Sequence, residues 1–114
     1  MKASELRIGN SIMQYDEVVF VTWWRLELME INEIVYNPIP LTEEWLLKFG
    51  FISRYSNYII KAGDYFHSVK KGCGEWIYSY DKSDSGCYEL KEIKYVHQLQ
   101  NLYFALIGKE LIIK

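Results

Sequence analysis

Cysteine and proline are scarce in this 114-residue chain, with two of each, and no apolar run approaches the roughly 20 residues of a membrane-spanning helix. Two cysteines do not make a disulfide scaffold, so in a reducing compartment Cys73 and Cys87 default to free thiols. An excess of one charge is missing as well. Thirteen basic against fifteen acidic residues leave a net charge of −2, mixed along the chain, which excludes the electrostatic footprint that grips a phosphate backbone. Duplex nucleic acid is therefore not an expected partner. The opening MKASELRIGN carries no apolar signal segment, and the expectation is a soluble, cytoplasmic protein without a membrane partner. Glycine builds no phosphate cradle either, because GCG at 72–74 lacks the length and the lysine of a P-loop.

What the chain does have is aromatic side chains, 17% of the total, in an otherwise globular composition that is half apolar and a quarter charged. A chain of this size forms one hydrophobic core more readily than two, so a single domain over 1–114 is expected. Tyr and Trp bury large areas but need partners for their polar tips, which favours rims and interfaces.

Local signals predict an α+β fold: a mostly antiparallel, twisted sheet with two helices, at about 42–49 and 95–107, packed against it. Around Gly9-Asn10 the chain reads as a turn leading into a strand, and the N-terminal strands could close into a partial small barrel. EVVFVTWW alternates β-branched and aromatic residues, which predicts a strand buried on both faces, and residues 25–30 follow as a partner strand or, alternatively, a short helix. In NPIPLTEEWLLKFGF, Thr42 can cap a helix with Glu43 and Glu44 at its positive end, and Gly50 can terminate it. Two hairpins follow, one through Ala-Gly-Asp at 62–64 and one through the polar loop DKSDSG. Strand alternation places Trp76, Tyr78 and Tyr80 on one face.

Several constellations are chemically suggestive. In DKSDSGCYELKE, Asp81, Ser83, Ser85, Gly86 and Glu92 match calcium-loop positions, but that loop needs a helix on each side and a strand precedes it here. His67, Cys73, Cys87 and His97 are zinc-type ligands without paired spacing, so neither a metal nor a Cys–His nucleophile is assigned. Tyr65, His67, Lys70, Lys71 and Trp76 interleave rings with cations, as a stacking platform for a nucleotide base would, or as a sheet face that serves as core.

The terminal stretch IKYVHQLQNLYFALIGKEL is amphipathic yet uncharged between Lys94 and Lys109. A polar face of amides suggests a cover other than water, because amides hydrogen-bond without the desolvation cost of buried charge. His97, Gln98 and Asn101 are the first candidates for a partner- or ligand-binding surface, followed by Trp76, Tyr78 and Tyr80, with Tyr65 and His67 for a nucleotide ligand. If instead His97 and Asn101 contact their own chain, they are structural.

MKASELRIGN, NPIPLTEEWLLKFGF and the closing helix together resemble a recurrent group of short, uncharacterised proteins encoded by gut Bacteroides-type bacteria, their phages and mobile elements. The resemblance covers somewhat under half of the chain. It implies a bacterial cytoplasmic or phage-encoded setting, host cytoplasm included, and brings no catalytic residues. The function expected is that of a non-enzymatic binding module, an accessory protein with an aromatic and amide-rich surface for a protein partner or for self-association. Capture of a small nucleotide signal against a host defence is the alternative, and a small hydrolase or nuclease a further one. No cofactor is implied.

Overall fold

The computed structural model describes residues 5–30, 36–54, 57–62, 65–72, 74–82 and 86–113. Among them are seven strands in two antiparallel sheets and three helices, so the α+β class with antiparallel pairing holds. The chain divides into two compact units, Met1–Pro40 with Tyr95–Glu110, and Leu41–Lys94 with Leu111–Lys114.

In the first unit, Gly9 adopts a φ of +98°, a left-handed conformation open to glycine, and so turns the chain into β1 (Ser11–Gln14). The next strand, β2 (Glu17–Phe20), pairs antiparallel with Ile12 opposite Val19 and Gln14 opposite Glu17. That register leaves Tyr15 and Asp16 as the whole turn, and Tyr15 takes a φ of +55°. For a side chain with a Cβ this conformation costs roughly 1–2 kcal/mol. On its other edge, β1 exchanges two backbone hydrogen bonds between Met13 and Asn37, at 2.8 and 2.9 Å. The N-terminal strands thus form a two-stranded hairpin, not a barrel.

Beyond Phe20 the predicted long strand fails and the short helix forms instead: α1 spans Trp23–Glu30. Thr22 explains the switch. Its hydroxyl accepts from the Arg25 amide at 3.4 Å and its carbonyl from the Leu26 amide at 3.1 Å, which caps a run of strong helix formers. Nor is β2 buried on both faces. Val18 and Phe20 are exposed, while Val19 packs with Leu26 against the core of Leu6, Ile12, Val21 and Tyr36.

The last helix of the chain belongs to this unit as well and packs on β1. This helix, α3, covers Val96–Ile107, as the periodicity predicts; Gln98 reaches back to accept from the Tyr95 amide at 3.1 Å, and Gly108, at a φ of +79°, ends it. Val96, Leu99 and Tyr103 form its buried apolar stripe.

The second unit opens with α2 (Glu43–Lys48), built as its sequence predicts. Thr42 caps it by accepting from the Trp45 amide at 3.5 Å, Glu43 and Glu44 sit at the positive end of the helix dipole, and Lys48 lies at the negative end. After it comes an antiparallel meander in sequence order: β3 (Ile52–Arg54), β4 (Asn57–Ala62), β5 (Tyr65–Lys71), β6 (Trp76–Lys82) and β7 (Gly86–Ile93). The strand pairs of both predicted hairpins are present, while residues 63–64 and 83–85 of their turns lie outside the described residues. Cross-strand rows Ile60–His67–Tyr80, Tyr58–Val69–Tyr78 and Lys71–Trp76–Ile93 share one face, on which Ile60, Val69, Trp76, Tyr78 and Ile93 are buried. The Trp76 indole N–H donates to the Leu41 carbonyl at 2.9 Å, tying the start of α2 to that face. Having strands on both sides removes the calcium-loop geometry, since Asp81 lies in β6 and Glu92 in β7 where helices are required.

Candidate functional site

The α3 amides meet their own chain. Asn101 is engaged through both ends of its amide: its carbonyl oxygen accepts from Arg7 Nε at 2.8 Å and from the Asn10 amide group at 2.9 Å, while one of its own N–H groups donates to the Glu5 carbonyl at 2.9 Å. Gln100, one position earlier, accepts the Ser11 backbone N–H at 2.9 Å and a longer contact from Asn10 at 3.4 Å. Arg7 completes the seal, with an ion pair to Glu110 at 2.7 Å and its guanidinium 4.2 Å from the centre of the Phe104 ring. Asn10, 1% exposed, also accepts the Arg7 backbone N–H at 2.6 Å, so the turn and the network share one side chain.

His97 is 2% exposed and lies parallel to the Tyr95 ring, at 5.8 Å and 9°. Among the described residues neither of its ring nitrogens has a hydrogen-bond partner. Burial lowers its pKa, with Glu5 pulling the other way, so the ring is neutral at pH 7. Gln98 is half-buried and caps α3. Of the first three predicted residues, one is therefore a buried ring, one a cap and one a bridge to the N-terminal segment. Arg7, Asn10 and Gln100 lie outside the predicted set. Asn10 is a signal in retrospect, because Gly-Asn steps place an amide where it can bond the local backbone.

On the sheet, alternation brings Tyr65, His67, Trp76, Tyr78 and Tyr80 to one face, and Lys70 to the other, opposite Ile77. The rings touch: Tyr65 with Tyr80 at 5.9 Å, His67 with Tyr78 at 5.5 Å and His67 with Tyr80 at 6.3 Å between centroids. The Tyr78 hydroxyl lies 2.7 Å from His67 Nδ1 and both side chains are buried, while Tyr65 and Tyr80 are half-buried. Desolvation lowers the His67 pKa as well. This is the core-facing side of the sheet. Cys73 and the side chain of Cys87 lie outside the described residues, and among those described no three His, Cys, Asp or Glu side chains gather as metal ligands.

The exposed rings are elsewhere. Tyr15 (83% exposed), Val18 (45%), Phe20 (55%), Trp23 (65%) and Trp24 (42%) put five large apolar side chains in solvent within ten consecutive residues. Arg25 ties part of the set together: its guanidinium donates to the Phe20 carbonyl at 3.0 Å and lies 4.3 Å from the centre of the Trp24 ring. This stretch reads in sequence as a buried strand, which conceals it. A signal against burial is the Tyr-Asp turn, which places a tyrosine at a loop tip. Protein-family models, curated proteins and solved structures give no match to the chain.

Proposed function

We propose that the protein is a non-enzymatic binding module whose docking surface is the aromatic stretch from Tyr15 to Trp24, and that its partner is a protein with an apolar groove rimmed by basic side chains. One observation carries this: five large apolar side chains stand exposed in ten residues, beside Asp16, Glu17 and Glu27. Single exposed hydrophobics are ordinary on any surface, but concentrated Trp, Tyr and Phe with a neighbouring Arg is the composition of binding hot spots. Holding Tyr15 in a left-handed turn costs stability, and such strain persists at positions selected for contact. Both histidines are buried, which favours binding over proton transfer. The amides of α3 are engaged with Arg7, Asn10 and Ser11, so aromatic side chains supply this surface in place of amides. The resemblance to short proteins of gut bacteria and their phages supports an accessory role in that setting.

Selection of peptides from a random display library on the immobilised protein tests it. Enriched peptides should combine apolar and basic residues, and a Phe20→Ser/Trp23→Ser variant should bind them at least about tenfold more weakly while unfolding at the same temperature. Enrichment of none, or equal binding by the variant, sinks the proposal. Light scattering over a concentration series identifies the case in which the partner is a second copy of the chain.

A further inference from the structure

The five-stranded sheet has a second face, opposite to the one that carries Trp76 and Tyr78. Register places Ile52 opposite Ile59, Lys61 opposite Phe66 and Arg54 opposite Asn57, and alternation puts these side chains on that second face. It is not sealed. Ile52 is 69% and Phe66 45% exposed, and Ile52, Arg54, Ile59, Lys61 and Phe66 line one cleft of about 330 Å³.

Ordinary sheet surfaces do show exposed hydrophobics, so the apolar walls alone carry little. The cations change the picture. Among the described residues, neither Arg54 nor Lys61 belongs to an ion pair. Their rows are four residues apart on β4, roughly 13 Å at the antiparallel rise, with Ile59 between them. Two long, cationic side chains thus enter one cleft from its two ends, over a floor of two isoleucines and a phenylalanine ring. A guanidinium offers a planar fork that matches carboxylate or phosphate oxygens, and an ammonium offers a movable point charge. The cleft volume is at the small end of ligand sites, which suits a single ring system and excludes a bulky polymer.

We infer that this cleft binds a small aromatic anion, with the ring over Ile52, Ile59 and Phe66 and its carboxylate or phosphate held at one end of the cleft by Arg54 or Lys61. The site lies wholly within the second unit and is independent of the aromatic stretch from Tyr15 to Trp24. Electrostatic and apolar contributions are both required. Phosphate alone lacks the ring, and a neutral nucleoside lacks the charge.

Amide NMR titration decides it, with adenosine 5′-monophosphate and 1-naphthoate as aromatic anions, and adenosine, inorganic phosphate and decanoate as controls. Saturable shifts in β3, β4 and β5 are expected with at least one aromatic anion below millimolar concentration. An Arg54→Gln/Lys61→Gln variant should weaken that binding at least about tenfold, the scale of one charge-assisted hydrogen bond, and Phe66→Ala should weaken it too. Both variants alter exposed side chains, and unchanged amide dispersion elsewhere certifies their fold. Absence of saturation with both aromatic anions overturns the assignment, as does equal affinity of the Gln variant. A cleft that takes decanoate and refuses both aromatic anions is a fatty-chain site and overturns it equally.

Discussion

In the unit of Met1–Pro40 and Tyr95–Glu110, the polar face of a helix is closed by Arg7, Asn10 and Ser11 through directional hydrogen bonds. In the unit of Leu41–Lys94, the buried face of a sheet is closed mainly by apolar side chains, with one indole N–H and one Tyr–His pair accommodated inside. The first solution demands partners at fixed distances and tolerates few substitutions; the second is non-directional and scales with the area removed from water. The difference teaches that a missing charge has two meanings. On α3 it marks a polar partner, and on the uncharged Trp76–Tyr80 part of β6 it marks a core.

Truncation at the centre of each unit should give the largest effects and separate the two modes. Leu46→Ala removes a fully buried side chain of α2 and should cost about 2–5 kcal/mol in denaturant unfolding. Asn10→Ala should cost about 1–3 kcal/mol, because the Arg7 N–H loses its acceptor and Asn101 a donor in a partly buried site. A double-mutant cycle of Asn10 with Asn101 should show coupling, whereas the cost of truncating Leu46 to Val or Ala should track the volume of the cavity left; additive Asn10 and Asn101 effects would remove the network as a unit.

Acid should come next. Both buried imidazoles have folded pKa values lowered by desolvation, below the ordinary value near 6.5. The unfolded chain then binds more protons, so stability is complete above about pH 6.5 and falls as pH drops through the folded values. His97→Phe removes a ring with no hydrogen-bond partner among the described residues and should flatten this slope while raising stability at pH 6. His67→Phe should flatten it too but lower stability at pH 7, because the Tyr78 hydroxyl loses its contact. Unfolding free energies at intervals between pH 5 and 7.5 measure both, and an unchanged slope in both variants defeats the assignment.

The smallest effect expected is a gain. Tyr15→Asn relieves the left-handed strain at the hairpin tip and should stabilise by about 0.5–1 kcal/mol, since Asn tolerates that conformation. Loss of stability instead would show that the Tyr15 ring packs in solution. A more stable variant that binds selected peptides less well would place strain and docking on the same residue.

Where an element is encoded by neighbours, it was legible. Thr42 with Glu43, Glu44 and Gly50 specifies α2 within nine residues, and alternation across Asn57–Ala62, Tyr65–Lys71 and Trp76–Lys82 specifies the meander and its aromatic face. Trp23–Glu30 was not, because WWRLELME satisfies strand alternation and helix propensity alike and only the Thr22 cap decides between them. The cover of α3 was hidden for another reason. Arg7 and Asn10 are 91–94 residues from Asn101, and nothing local records such a distance.

By itself, then, the sequence determined the α+β class, the limits of α2 and α3, and which strand positions share a face, since caps, glycines and period-two patterns act over a few residues. Tertiary structure alone decided that the α3 amides are closed by the N-terminal segment, that Phe20 and Trp23 stay in solvent, and that Arg54 and Lys61 enter one cleft. Those outcomes depend on which surfaces meet, and burial is a property of pairs of segments that no single segment carries.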